Sequence, residues 1–244
     1  MLPDFRFADR QDAGQQLAEV VAVQIAQLHQ AGGAPPRTIA YALPRGGLPV
    51  AVPIARTLGC PLDVVVAKKI TKPQNRELAI GAVTACGQVI WSTQLVIDEP
   101  SLQEIQRLQA QEKAVSQLGQ LAPNRPAVSL DTGELLLNHS PLPKQDLSPT
   151  GAIALLVDDG IATGMTMAVA IKALRLQDPA QIWICAPVAP KRLLEELHDW
   201  GDRVIVLATP ELFGSVSRFY ASFRQVQMKD ALACLEKQLD WLLK

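Results

Sequence analysis

Three observations in the sequence predict an α/β fold with a parallel sheet and helices on both faces. Apolar runs alternate with helical patterns through the second half of the chain: IALLV (153–157), a helix at 165–177, QIWICAPV (181–188), a helix at 191–200 and RVIVLAT (203–209). The run from Ile153 to Val157 ends in two adjacent carboxylates, Asp158 and Asp159, then a turn with Gly160, Thr163, Gly164 and Thr166, then a helix. The 244 residues are 48% hydrophobic, which fits one large α/β domain or two small ones and is enough to bury a core.

The elements follow in order. Residues 11–30 place Leu17, Val20, Val21, Ile25 and Leu28 at helical spacing, and Gly32 and Gly33 close that helix. TIAYAL (38–43) reads as a short buried strand broken by Pro44-Arg45-Gly46-Gly47. A helix follows to about Leu58, with Gly59 at its C-terminal end. DVVVAKKI (63–70) is rich in β-branched residues and reads as one strand, and TKPQNRE (71–77) reads as a loop. LAIGAV and QVIWS are expected to pair around a turn at Cys86–Gly87. Residues 101–120 carry helical spacing at Leu102, Ile105, Leu108 and Val115. From Asn124 to Thr150 the chain is polar and proline-rich, which predicts a surface excursion. The whole is read as one domain over 1–244 with a core at about 37–210 and no internal repeat.

Composition excludes several function classes. A formal charge of −1 gives no reason to expect a nucleic acid or an anionic membrane as partner. No apolar run approaches the roughly 18 residues of a membrane span. MLPDFRFADR places acids where a signal peptide needs an apolar core, so a cytoplasmic location is expected. Cys60, Cys86, Cys185 and Cys234 form no CxxC pair and read as free thiols. His29, His139 and His198 are scattered and offer no metal-ligand spacing. There is no GxxxxGK[ST], and no GxGxxG follows a strand, which removes the P-loop and dinucleotide readings.

The chemistry concentrates at residues 158–166. Read alone, Asp159 would cap a helix beginning near Ile161 or Thr163. Read with its neighbours, the stretch puts two acids beside a turn whose N–H groups, hydroxyls and helix N-terminus suit an anion. Carboxylates accept hydrogen bonds from a diol, while Thr163, Thr166 and loop N–H groups donate to phosphate oxygens. Gly160 and Gly164 let the backbone approach closely. A phosphorylated ribose fits both halves.

Asp-Asp-Gly-x-x-Thr-Gly-x-Thr after an apolar run closely resembles the ribose-phosphate binding motif of the type I phosphoribosyltransferases. The resemblance implies a Rossmann-like fold with a small hood built from the terminal segments, about 1–36 and 211–244. It implies that Asp158 and Asp159 hold the ribose 2- and 3-hydroxyls and that Gly160, Ile161, Ala162, Thr163, Gly164 and Thr166 wrap the 5-phosphate. Pro44-Arg45-Gly46-Gly47 stands where that family binds diphosphate, so Arg45 would fork onto phosphate oxygens and Gly46 and Gly47 would expose N–H groups. Members of the family often carry a strained peptide bond in this loop. Lys68 and Lys69 point to opposite faces of a strand, so one of them would reach the diphosphate, and the resemblance favours Lys68. Residues 71–77, with Lys72 and Arg76, stand where the family carries a mobile lid that excludes water.

The likeness extends to one bacterial subgroup through Phe7, Asp9, Arg10, Asp12, Ala13, Gly14 and Leu17. PRGGLPVA (44–51), ELAIGAV (77–83) and SVSRFYASFRQV (215–226) carry it further, and only about 100–150 lies outside it. Within the last of these, Phe219, Tyr220 and Phe223 read as packing for the C-terminal segment rather than as a base-stacking platform. Ala162 occupies the position where 6-oxopurine enzymes carry an Asp that assists proton transfer, which disfavours hypoxanthine or guanine chemistry through that residue. Adenine and orotate enzymes also lack an acid there. Glu77 is a substitute proton acceptor or a solvated lid charge.

The expected function is therefore transfer of a phosphoribosyl group from 5-phospho-α-D-ribose 1-diphosphate, with Mg²⁺, to a nitrogen nucleophile such as a nucleobase, releasing pyrophosphate. Asp158, Asp159, Lys68 and Arg45 are the catalytic candidates. Mg²⁺ would be held mainly by substrate oxygens and water rather than by a protein cage. The alternative is a sensor that binds the same ligand without turnover. The hydrophobic content permits a homodimer.

Overall fold

The computed structural model describes residues 6–30, 37–73, 75–92, 100–122 and 147–243, with the side chains of His29, Gln30, Arg76 and Glu77 outside the description. The expected excursion at 124–150 lies outside it up to residue 146. In chain order the first elements are α1 (Arg10–Gln30), β1 (Thr38–Ala42), α2 (Gly47–Leu58), β2 (Leu62–Val64), β3 (Ala67–Lys72), β4 (Asn75–Thr84), β5 (Val89–Trp91) and α3 (Pro100–Leu121). After them come β6 (Ile153–Val157), α4 (Met165–Arg175), β7 (Gln181–Val188), α5 (Leu194–Trp200), β8 (Arg203–Ala208), α6 (Met228–Glu236) and α7 (Leu239–Leu242). Short 3₁₀ turns precede α5 at Lys191–Leu193 and follow β8 at Val216–Phe219. These elements form two compact units, one of Met1–Val64, Leu147–Gly164 and Gln177–Lys244, the other of Val65–Asp146 and Met165–Leu176.

The first unit holds a five-stranded parallel sheet in the order β2-β1-β6-β7-β8. Every residue of β6 is buried, as are most of β1 and β7, which is why these strands are continuous apolar runs. From β1 the chain crosses through α2 to β2 on one side, and from β6 it proceeds through β7 to β8 on the other. Right-handed crossovers in opposite directions put α2 on one face and α5 on the other. The reversal falls between β1 and β6, where Ala42 lies beside Val157, and such a switch point opens a crevice at the carboxyl ends of the strands.

α1 begins at a reciprocal pair of caps: Asp12 N–H donates to Asp9 Oδ1 at 2.9 Å, and Ala8 N–H donates to Asp12 Oδ2 at 2.8 Å. Ala13, Leu17, Val21 and Ile25 form its buried face, and Val20 is exposed, so the apolar stripe is narrower than the spacing suggested. α1 packs on α2 at Gly14, where a Cβ would meet the Val50 carbonyl at 2.6 Å. Gly59 ends α2 in the left-handed region at φ 61°, as its sequence position implies.

The C-terminal helices close the sheet's β2 edge. Leu62 N–H, on the open side of β2, donates to the buried Gln238 Oε1 at 3.1 Å, and Trp241 Nε1–H donates to the Cys60 carbonyl at 3.0 Å. An edge with its donors satisfied by side chains cannot template another strand. Gln238→Leu keeps the volume but orphans the Leu62 N–H, and should cost about 1–2 kcal/mol of stability, read as a lower urea midpoint. A midpoint equal to wild type would show that water replaces the Gln238 carbonyl.

The second unit differs from the sequence reading in three places. DVVVAKKI is two strands rather than one: β2 ends at Val64 in the parallel sheet, and β3 starts at Ala67 in an antiparallel sheet of order β3-β4-β5. Residues 71–77 are largely strand, because Thr71 and Lys72 continue β3 and Asn75–Glu77 begin β4. Register shifts at Ile70/Thr71 and Thr71/Lys72 accommodate this polar extension of the hairpin. α3 is present, but Ala110, Ala114, Leu118 and Leu121 are buried while Ile105 and Leu108 are half exposed. Alanine lets α3 approach the sheet more closely than a branched side chain would. β4 and β5 pair as expected, with the turn at Ala85–Cys86, one residue before the Cys86–Gly87 position read from the sequence.

Cys60, Cys185 and Cys234 are buried free thiols and Cys86 is a half-buried one. Burial pushes the Cys60 thiol up to about 12, so it is inert. No described helix is long and apolar enough to cross a membrane.

Candidate functional site

β6 delivers Asp158 and Asp159 to the carboxyl edge of the sheet at the switch point. The backbone there is held from both flanks: Leu43 N–H donates to the Val157 carbonyl (2.9 Å), Asp158 N–H to Cys185 (3.2 Å) and Ile161 N–H to Val188 (2.8 Å). Asp159 N–H turns back onto Asp158 Oδ1 at 2.8 Å. α4 begins only at Met165, so Asp159 is not its cap.

The two acids sit in different electrostatic surroundings. Burial pushes the Asp158 carboxyl well above the usual carboxylate range, and the charge of Asp159 pushes it further. Burial also raises Asp159, but Arg10 opposes that with its charge and a hydrogen bond from Nε to Asp159 Oδ2 at 2.6 Å.

The loop 44–47 stands directly against Asp159. A Cβ on Gly46 would collide with the Asp159 carboxylate, and one on Gly47 would meet the Val157 carbonyl at 2.6 Å. Glycine is required at both positions for the loop to lie this close. The Pro44–Arg45 peptide is cis, Arg45 is half-buried, and α2 begins at Gly47 with Gly46 as its N-cap. Two acids and a helix N-terminus thus share one edge. Contrary to expectation, the Gly47 N–H is not exposed to a ligand: it donates to the Leu43 carbonyl at 3.0 Å, the Leu48 N–H donates to the Arg45 carbonyl at 3.3 Å, and Pro49 has none.

Gly160 and Gly164 shape the following turn. A Cβ on Gly160 would meet Val216 at 2.5 Å, and one on Gly164, which sits at φ 73°, would meet Trp200 at 2.8 Å. Ile161 is buried, Ala162 half-buried and Thr163 exposed, so the Thr163 hydroxyl is available to a ligand.

Lys68, Lys69 and Thr166 belong to the second unit. Lys68 pairs with Val83 across β3 and β4 and is half-buried, whereas Lys69 pairs with Ala82 and is exposed. Thr166 is half-buried in the first turn of α4. The Glu77 side chain lies outside the described residues.

Sequence reasoning missed the groups that hold Asp159. Besides its bond to Oδ2, Arg10 donates from Nη1 to the Arg224 carbonyl at 2.7 Å and lies over the Phe223 ring at 3.7 Å. The Tyr220 hydroxyl donates to the Asp159 carbonyl at 2.5 Å, and burial with the Asp159 charge pushes that hydroxyl up, so it stays a donor. Phe219 and Tyr220 are buried, as the packing reading of 215–226 expected, and Phe7 and Phe223 flank Tyr220. One local signal pointed to Arg10. A cation in the first turn of a helix opposes the helix dipole and needs a partner elsewhere.

Among the described residues, no cluster of three or more His, Cys, Asp or Glu side chains could hold a metal. The protein oxygens at the site are the carboxylates of Asp158 and Asp159, which suit a hard cation that keeps ligand and water oxygens around it.

Comparisons with known proteins identify the family. The model of the phosphoribosyl transferase domain family matches residues 9–219. Proteins of two Mycobacterium tuberculosis strains, CDC 1551 and H37Rv, whose names provisionally assign them as phosphoribosyl transferases, are 33% identical over 235 residues. The match covers 95% of this chain and 46% of each relative, so the chain spans about half the length of the curated relatives it matches. The crystal structure of TT1426 from Thermus thermophilus superposes with a TM-score of 0.70 at 30% identity, covering 97% of this chain and 99% of that one.

Proposed function

The chain belongs to the phosphoribosyl transferase domain family, and on that premise we propose that it binds 5-phospho-α-D-ribose 1-diphosphate with Mg²⁺ and transfers the phosphoribosyl group to a nitrogen nucleophile, a nucleobase in the simplest case. The observation that carries this reading is the contact between the acid pair and the glycine loop. Gly46 stands so close to Asp159 that diol acceptors and diphosphate donors lie side by side at the switch point.

Each group has a role in the reaction. Asp158 and Asp159 accept hydrogen bonds from the ribose 2- and 3-hydroxyls. N–H groups of residues 160 and 162–164 and the exposed Thr163 hydroxyl receive the 5-phosphate. Arg45 and the Gly46 N–H receive the diphosphate beside the start of α2. The C1–O bond to diphosphate breaks, a bond from the acceptor nitrogen to C1 forms, and pyrophosphate leaves with its electron pair. Catalysis rests on positioning and on charge stabilisation of the leaving group. Mg²⁺, held chiefly by ligand oxygens, would neutralise part of the diphosphate charge. A cytoplasmic location suits such a ligand.

Calorimetric titration of the diphosphate ligand with Mg²⁺ into wild type and Asp158→Asn tests the reading. Wild type should bind, and the variant should bind about 10–100-fold more weakly, the loss expected of a charged hydrogen bond. A screen of bases for pyrophosphate release then separates enzyme from sensor, since binding without release for any base leaves the sensor. Failure of wild type to bind removes both.

A further inference from the structure

The two terminal segments meet at the acid motif. Residues 7–8 and 219–222 pair through their backbones: Phe7 N–H donates to Phe219 (3.0 Å), Ala221 N–H to Phe7 (2.8 Å) and Ser222 N–H to Ala8 (2.9 Å). Two side chains then tie this pairing to Asp159. Tyr220 reaches its carbonyl and Arg10 its carboxylate.

Arg10 is more than a counter-charge. Its guanidinium makes three contacts with two segments, with Nε on Asp159, Nη1 on the Arg224 carbonyl and one face on the Phe223 ring. A planar fork stacked on an aromatic ring fixes direction in a way that a lysine ammonium cannot. The pair is well shielded, with side chains 11% and 15% exposed, so it escapes the screening that makes surface pairs weak. The same Oδ2 is the Asp159 atom nearest the place a Cβ on Gly46 would take. The carboxylate is therefore in contact with both the diphosphate loop and the terminal segments.

We propose that Arg10 is a positioning residue for the acid pair, fixing Asp159 against Gly46 and so linking ligand occupancy at the motif to the seating of both terminal segments. The inference rests on the phosphoribosyl diphosphate reading and deepens it. With Oδ2 committed to Arg10, a ribose hydroxyl meets Asp159 in one orientation rather than as a free rotor. The cation also offsets the second of two adjacent negative charges, which lets both acids serve one diol. Linkage is reciprocal: if the seated segments hold Asp159 ready for ligand, bound ligand must hold the segments seated.

The test titrates phosphoribosyl diphosphate with Mg²⁺ into wild type, Arg10→Lys, Arg10→Gln and Phe223→Leu. Amide hydrogen exchange is followed at residues 219–224 with and without ligand. In wild type the ligand should slow exchange at 219–224. Arg10→Gln should bind about 30-fold more weakly, in line with a lost charge-assisted bond, and should lose that protection. Arg10→Lys, which keeps the charge but not the fork, should recover part of both, and Phe223→Leu should weaken binding several-fold. A merely structural arginine would lower the melting temperature without altering ligand-induced protection. Arg10→Gln binding within twofold of wild type, or protection unchanged in that variant, overturns the role of Arg10 and leaves the ligand standing. If Arg10→Gln does not fold, the Lys and Leu variants carry the same comparison. Absence of binding by wild type removes the ligand reading, and this inference with it.

Discussion

Asp159→Asn is expected to lower the stability of the fold by about 2–3 kcal/mol near neutral pH, even though the change removes a buried charge. Breaking a buried ion pair typically costs about 3–5 kcal/mol because the surviving charge is left without compensation. Here the survivor is Arg10, 11% exposed, whose Nε–H points at Asp159 and whose stacking on Phe223 leaves it little room to seek water. An asparagine carbonyl can keep one hydrogen bond, which sets the loss at the lower end. For a chain of this size the melting temperature should fall by about 5–10 °C. Scanning calorimetry of wild type and variant reads this directly, and a midpoint at or above the wild-type value would show that the Arg10 pair contributes nothing net.

The motif 153–166 was legible because its structural and chemical signals are both local: a five-residue apolar run, two acids, and glycines where the backbone turns. The loop 44–47 was legible for the same reason, and Gly46 and Gly47 prove to be glycine because neighbouring atoms occupy the place of a Cβ. DVVVAKKI failed because a run of β-branched residues reports extended chain and says nothing about a change of sheet between Val64 and Ala67. TKPQNRE failed because polar residues suit the solvent-facing end of an antiparallel hairpin as well as they suit a loop. In α3 the large apolar residues Ile105 and Leu108 are half exposed, while Ala110 packs on Ile70, Ile80 and Val83 of the sheet and Ala114 is buried. Arg10 was quoted only as part of a likeness. Its partner lies 149 residues away, and no local periodicity reports a contact at that separation.

The neighbouring substitution should act in the opposite direction. Asp158→Asn is expected to raise the melting temperature while weakening ligand binding, because Arg10 pairs directly with Asp159 and reaches Asp158 only through a weaker charge effect. Burial is the first cause of its raised carboxyl and the Asp159 charge the second, and Asn retains an oxygen to accept the Asp159 N–H. The sign follows from proton linkage. A carboxyl whose folded value lies above its unfolded one binds its proton more tightly in the folded state, so the folded state is favoured by protonation. That advantage is fully present below the unfolded value, near 3.8, and is lost as pH rises through the raised folded value. Asparagine is neutral throughout and loses nothing over this window. The difference in melting temperature between variant and wild type should therefore be small near pH 4 and widen toward alkaline pH, then level off. A gap independent of pH would place the variant's gain in packing rather than in charge, and a variant less stable than wild type at pH 8 would overturn the assignment. With ligand and Mg²⁺ present the order should reverse, since ligand stabilises only the chain that binds it. The strained acid is thus held at the switch point at a cost in stability that its ligand returns.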